Sequence, residues 1–199
     1  MMTRALKVLG ITLVGLIVLI GVVSAFLSPK SHMERSAVIN ASAATIFEQV
    51  NTIKNTNKWQ PWGMKDPNIK VSYEGPESGV GAKMSWESEK MGNGSQWIIE
   101  STQDKHVKVG MQFADFDGTY SADINLEPAE SGTKVTWTYD GDVTGSGMAS
   151  AAMGKIMSLF IDGMLGKDYE QGLNNLKSVA ESQPQQQQNP APADSTQKK

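Results

Sequence analysis

The side chains best placed to do chemistry in this chain are rings. Tyr73, Trp86, Trp97, Tyr120, Trp137 and Tyr139 fall in phase with apolar neighbours along alternating segments. Six amphipathic rings on one sheet face are many for a small core. Each buried indole N–H or phenol O–H needs a partner, which a partly open cavity supplies through water or a ligand. An apolar pocket with a few polar tips is what a lipid-like or aromatic small molecule requires. The same rings also fit a solid core, and the sequence leaves both readings open.

Other chemistry is thinly provided. The absence of cysteine excludes a disulfide scaffold, thiolate zinc sites and cysteine nucleophiles. Histidine occurs only at 32 and 106, and arginine only at 4 and 35, so neither a histidine network nor an arginine cluster can form. Asp115 and Asp117 flank a turn, where Asp is expected for local hydrogen bonding. The stretch Gly75 to Lys83 has phosphate-loop glycines but lacks the Gly-Lys-Ser/Thr ending and leads into a strand. Asn40-Ala-Ser42 and Asn93-Gly-Ser95 match a glycosylation sequon too short to carry weight. No catalytic group, metal site or cofactor is expected. Residues 31–182 hold 13 basic and 20 acidic side chains, a net charge of −7, which speaks against nucleic acid as a partner.

The rings must be positioned by strands. Period-two alternation runs through Ile69–Glu74, Ala82–Glu87, Gln96–Glu100, Val107–Phe113, Tyr120–Leu126 and Lys134–Tyr139. In the third of these, Trp97 and Ile99 are read as inward and Gln96 and Ile98 as outward. Asp117-Gly118 is a strong two-residue hairpin signal. The short connections predict an antiparallel meander with one apolar face, and Glu34–Asn40 adds a seventh strand ahead of it. Asn40 or Ser42 can cap a helix over Ala43–Ile53. Trp59 and Trp62 follow in a polar segment, either plugging the core or, for Trp62, lining a pocket mouth.

Facing the sheet, Ala149–Glu181 reads as one long helix with an apolar stripe that includes Met153, Met157, Phe160, Met164, Tyr169 and Leu173. Its 33 residues would run about 50 Å. Gly163, Gly166 and Gly172 lie inside it and predict a bend or a close backbone approach. The methionine stripe is either ordinary core or an adaptable wall for an apolar ligand. The candidate pocket lining is thus Trp62, Tyr73, Trp86, Trp97, Met111, Tyr120, Trp137, Tyr139, Met157, Phe160 and Met164.

Val8 to Leu27 is a run of 20 residues without a charge, about 30 Å as a helix. It reads as a transmembrane anchor within residues 1–30, with Val23-Ser24-Ala25 leaving a cleaved signal peptide as the alternative. Arg4 and Lys7 put the N-terminus on the cytoplasmic side and the domain on the outer, periplasmic or extracellular, side. Lys30 and Arg35 weigh against that orientation. Residues 183–199, rich in Gln and Pro, read as a disordered tail, leaving 31–182 as the folded domain.

The order strand, helix, Trp-bearing segment, six-strand meander and long helix resembles the helix-grip fold of the START-like (SRPBCC) superfamily, in particular its polyketide cyclase/dehydrase and lipid-transport branch. The residues carrying the resemblance are Ala41–Phe47, Trp59-Gln-Pro-Trp62 with Asp66-Pro67, Tyr73–Ala82 before Trp86, and Leu165–Lys177. It implies an α+β fold in which a curved seven-stranded sheet grips the C-terminal helix around a hydrophobic cavity. Members bind lipids, sterols or hormones, and some cyclise polyketides using polar, Arg or His groups inside the pocket. Between residues 36 and 199 this chain has no Arg and only His106. The expectation is a membrane-anchored binding protein whose partners are a hydrophobic small molecule or lipid and, through residues 8–27, a membrane. A polyketide cyclase-like enzyme and a ligand-free interaction or chaperone-like module are the alternatives.

Overall fold

The alternating segments pair into one sheet. The computed structural model describes residues 2–144 and 147–183. In it β2 (Lys70–Glu74), β3 (Lys83–Glu87), β4 (Gly94–Thr102), β5 (His106–Phe113), β6 (Phe116–Ala129) and β7 (Gly132–Asp142) form an antiparallel meander. β1 (Lys30–Ile39) closes the free edge of β7, with Lys30 opposite Asp142 and Ile39 opposite Thr133. The order is β1-β7-β6-β5-β4-β3-β2. Side chains of one phase, among them Met84, Val109, Ile124, Val135 and Trp137, form the concave, buried face.

Two departures from simple alternation matter for the site. A bulge between Ile98 and Glu100 changes the phase of β4. Gln96 and Ile98 are therefore buried on the concave face, while Trp97 faces out and covers Gly110 of β5, where an added Cβ would lie 2.9 Å from its indole. The β5–β6 turn is made by Ala114 and Asp115, with Phe113 paired to Phe116. The predicted turn Asp117-Gly118 instead lies inside β6, where Gly118 has a positive φ of 143° and Tyr120 folds back to donate its hydroxyl to the Asp117 carbonyl.

α2 (Ala43–Asn51) is capped by Ser42, whose Oγ accepts from the Thr45 N–H at 3.1 Å, and it buries Ile46, Phe47 and Val50. Ala44 is exposed. A 3-10 turn (Ile53–Asn55), α3 (Thr56–Trp59) and α4 (Trp62–Lys65) then lay two tryptophans over the sheet.

The C-terminal helical region is two helices. α5 (Met148–Ser158) ends where the N–H groups of Leu159 and Phe160 bond the carbonyls of Ile156 and Met157, three residues back. α6 (Ile161–Glu181) then runs unbroken through Gly163, Gly166 and Gly172. Of the two expectations at those glycines, a bend is absent and a close approach is present at two of them. A Cβ on Gly172 would lie 2.7 Å from the Trp137 ring, and one on Gly166 would meet the Arg35 guanidinium that pairs with Asp162 and Glu170. α6 buries Tyr169, Leu173, Leu176 and Ala180 in the curve of the sheet, whereas α5 lies against Val143 through Gly154.

α1 (Met2–Ala25) precedes the sheet; its segment Leu6–Ala25 has a mean hydropathy of 2.7 and is long and apolar enough to cross a membrane. Residues 184–199 of the tail read as disordered lie outside the described residues.

Candidate functional site

Two aromatic groups organise the space between sheet and α6. Trp137 of β7 stacks on Tyr169 of α6 with centroids 3.8 Å apart, and Trp59 and Trp62 meet its ring edge-on at 5.0 and 5.8 Å. Trp59 is fully buried and donates its indole N–H to the Gln49 carbonyl at 3.2 Å, so it plugs the core. The second group, Trp86, Phe113, Tyr120 and Tyr139, forms a chain of ring contacts along the sheet at 6.0, 5.4 and 6.4 Å.

Between the groups lies a cavity of about 310 Å³, at the lower end of the range for small-molecule sites. The sheet contributes Val71, Met84, Trp86, Met111, Phe113 and Tyr139. Trp62 and Gly63 of α4, Ile69, Met91, and Leu165 and Tyr169 of α6 complete the apolar wall. Polar atoms are few and paired. The Gln96 amide donates to Gln60 Oε1 at 3.3 Å, both side chains being buried. Lys65 of α4 reaches both carboxylate oxygens of Asp168 on α6 at 2.6 Å, and both residues border the cavity, as does Asn57.

Tyr139 and Tyr169 line the cavity as neutral side chains. Burial pushes the Tyr139 phenol up to about 12, with the nearby Tyr120 adding to the effect and a hydrogen bond with Ser31 opposing it. Burial likewise raises Tyr169 far above the usual tyrosine range. Both are therefore protonated at neutral pH and able to orient a bound polar group, with neither nucleophilic nor basic character.

Four of the candidate lining residues meet at this cavity: Trp62, Trp86, Met111 and Tyr139. The other seven lie elsewhere. Trp97 is on the outer face because of the β4 bulge. Trp137 is packed solid behind Tyr169. Tyr120 sits one ring beyond the wall, between Phe113 and Tyr139. Tyr73 has the inward phase but stands at the sheet edge, 37% exposed, its hydroxyl accepting from Asn57 Nδ2 at 2.6 Å. Phe160, at the break between α5 and α6, and Met164, just beyond it, are more than half exposed, and Met157 is half-buried on α5 away from the cavity lining.

Sequence reasoning passed over Gln60, Gln96, Lys65 and Asp168. The first pair was masked by the β4 phase change. The second joins residues 103 apart in sequence, which no spacing signals. Met84, Phe113, Leu165 and Tyr169 were legible as inward positions but were not singled out.

A larger, open cleft of about 660 Å³ lies beside the β3–β4 connection, lined by Asp66, Lys70, Glu87, Lys90 and Asp115 among others. Its most buried carboxylate, Asp66, is already engaged by the Ser88 hydroxyl at 2.6 Å and the Asn68 N–H at 3.0 Å, which hold its pKa below the usual range. That carboxylate ties the connection down and is not free for a ligand. Among the described residues no group of three or more His, Cys, Asp or Glu side chains could hold a metal ion.

Residues 30–181 match the family model described as polyketide cyclase / dehydrase and lipid transport. The chain belongs to this family. No curated protein matches it. Among solved structures, it is similar to a protein from Thermobifida fusca, at 16% identity and a TM-score of 0.55, covering 75% of this chain and 92% of that one. It is similar to Ara h 8.0201 at 12% identity and a TM-score of 0.53, covering 77% and 99%. The di-domain ARO/CYC StfQ from the steffimycin biosynthetic pathway gives 8% identity and a TM-score of 0.54, covering 76% of this chain and 51% of StfQ. At these identities the likeness is one of fold: the polyketide cyclase / dehydrase and lipid transport family supplies the sheet and helix, and this chain's own side chains decide what the cavity takes.

Proposed function

We propose that this protein is a membrane-anchored binding protein for a hydrophobic small molecule or lipid, held between the sheet and α6. The observation that carries the reading is the 310 Å³ cavity, whose walls are methionine, tryptophan, phenylalanine and aliphatic side chains broken by only a few polar atoms. Burial drives binding, at about 0.8 kcal/mol per CH₂ removed from water. The hydroxyls of Tyr139 and Tyr169 and the Gln60–Gln96 pair set orientation. Residues 8–27 hold the pocket beside the bilayer that supplies the ligand, with the N-terminus cytoplasmic and the domain on the outer side.

An environment-sensitive apolar dye tests the reading. It is expected to bind the detergent-solubilised chain with one-to-one saturation and to change tryptophan emission, since Trp62 and Trp86 border the cavity. Met111→Trp fills part of the same space and should weaken dye binding at least tenfold while leaving the fold intact. A solid interior predicts the opposite pair of results: no saturable binding, and a loss of about 1–3 kcal/mol from overpacking.

A further inference from the structure

α5 and the turn after it carry apolar side chains that no other described residue covers. Met153 is 54% exposed, and Leu159, Phe160 and Met164, at the break and just beyond it, are 60%, 61% and 51% exposed. Residues 148–160 hold a single charge, Lys155. That charge is not turned to open solvent: its ammonium donates to the Ser24 carbonyl in the last turn of α1 at 3.2 Å. Along α1, Ile20 is half-buried and Ser24, one turn on, is buried, while the rest of the span is bare. α5 thus lies alongside the final turns of the apolar helix.

The join between them is short and fixed. Only residues 26–29 separate α1 from β1, a reach of at most about 18 Å. Within it, the Val143 N–H bonds the Pro29 carbonyl at 3.0 Å and the Lys30 N–H bonds Ser28 Oγ at 3.0 Å. Phe26, 86% exposed, projects from the same place.

We infer that α5 and the Leu159–Phe160 turn lie in the headgroup–acyl boundary of the bilayer that α1 crosses, with Met153, Leu159 and Phe160 inserted among the lipids. This rests on the reading of α1 as a membrane anchor. A helix bonded to the last turn of a span sits at headgroup depth, and apolar side chains there are covered by acyl chains. The one lysine spends its ammonium on a carbonyl at the C-terminal end of α1, where a cation is favoured, and so leaves the apolar side chains of this face without a charge among them. Leu165, one residue beyond Met164, belongs to the cavity wall, so the inserted segment and the binding site are continuous along α6.

The chain has no natural cysteine, so single labels can be placed at will. Full-length Leu16→Cys, Phe160→Cys and Glu130→Cys would each carry an environment-sensitive nitrobenzoxadiazole dye in phosphatidylcholine vesicles containing nitroxide lipids. Phe160 is mostly exposed, so its replacement leaves the fold. Glu130 lies in the β6–β7 turn, at the end of the sheet opposite α1. The Leu16 label should be quenched by nitroxides at the acyl-chain ends. The Phe160 label should shift to the blue and lose several times more emission to headgroup-level nitroxides than the Glu130 label does. A quenched Leu16 label with a Phe160 label that behaves like Glu130 overturns the inference while the anchor stands. Oxidative disulfide linkage of two unlabelled Phe160→Cys chains, with no lipid quenching of the labelled ones, does so too, naming a second copy as the cover. An unquenched Leu16 label removes the anchor and the inference together.

Discussion

Gly172 and Gly163 sit on one helix, nine positions apart, and the structure gives them opposite consequences for the same substitution. In an exposed helix interior, Gly to Ala is worth about 1 kcal/mol in favour of Ala. At Gly163 nothing lies within 4 Å of the new methyl, so Gly163→Ala should stabilise by up to about that amount. At Gly172 the methyl would fall 2.7 Å from one Trp137 ring carbon and 3.4 Å from another, with Pro61 also at 3.4 Å. Trp137 is 2% exposed and has little room to retreat, stacked on Tyr169 at 3.8 Å and met by Trp59 at 5.0 Å. Overpacking of this kind costs about 1–3 kcal/mol, and with so little room the upper part of that range applies, which outweighs the propensity gain and leaves a net loss of up to about 2 kcal/mol. For a chain of this size each kcal/mol moves the melting temperature by about 2–4 °C. Gly172→Ala should therefore melt several degrees below the parent and Gly163→Ala a few degrees above it, followed by circular dichroism in one detergent. If both variants melt higher, Trp137 is not wedged against α6, and the account of how the sheet grips the helix fails.

Two further predictions concern the cavity's polar atoms. Gln96→Leu strands the buried Gln60 carbonyl oxygen and should cost about 1–3 kcal/mol in a urea titration, most of it recovered when Gln60→Leu is added; a harmless single variant would mean that water in the cavity already serves Gln60. Tyr139 has its folded-state pKa raised from 10 to about 12, so its protonated form contributes stability that is complete below pH 10 and is lost as pH rises from about 10 to about 12. That contribution is on the order of 2–3 kcal/mol. Tyr139→Phe should flatten this alkaline limb of the stability profile, and an unchanged slope would place the titration on other tyrosines.

What was legible in the sequence divides along a physical line. The existence of seven strands and the order and pairing of the six-strand meander followed from alternation and turn residues, because a half-buried strand must alternate and each short connection forces an antiparallel neighbour, whereas no short connection seats β1 beside β7. Phase was less secure. Weighting rings as inward assigned Trp97 to the core, yet the bulge at Ile98/Glu100 inverts the face. A glycine on the next strand gives a large ring a place to lie on the outside. The pair Trp97 and Gly110, opposite one another in β4 and β5, carries that information only once the register is known. The same holds for Gly118 under Tyr120 and Gly172 under Trp137.

The glycines of α6 were legible as positions with a purpose, and the purpose was only half specified. A glycine in a helix admits either a bend or a near neighbour, and composition does not choose between them. Here the neighbour decides at two positions: an arginine pinned by two carboxylates at Gly166 and a boxed tryptophan at Gly172. The break instead falls at Leu159–Phe160, where no glycine or proline stands, and it separates two surfaces. Tyr169, Leu173 and Leu176 hold α6 to the sheet, while Gly154 and Lys155 hold α5 to Val143 and to α1. A single hydrophobic stripe therefore serves two partners. Its N-terminal part leaves Met153, Leu159, Phe160 and Met164 exposed, and Ile161 together with the part from Leu165 onward serves the cavity and the core.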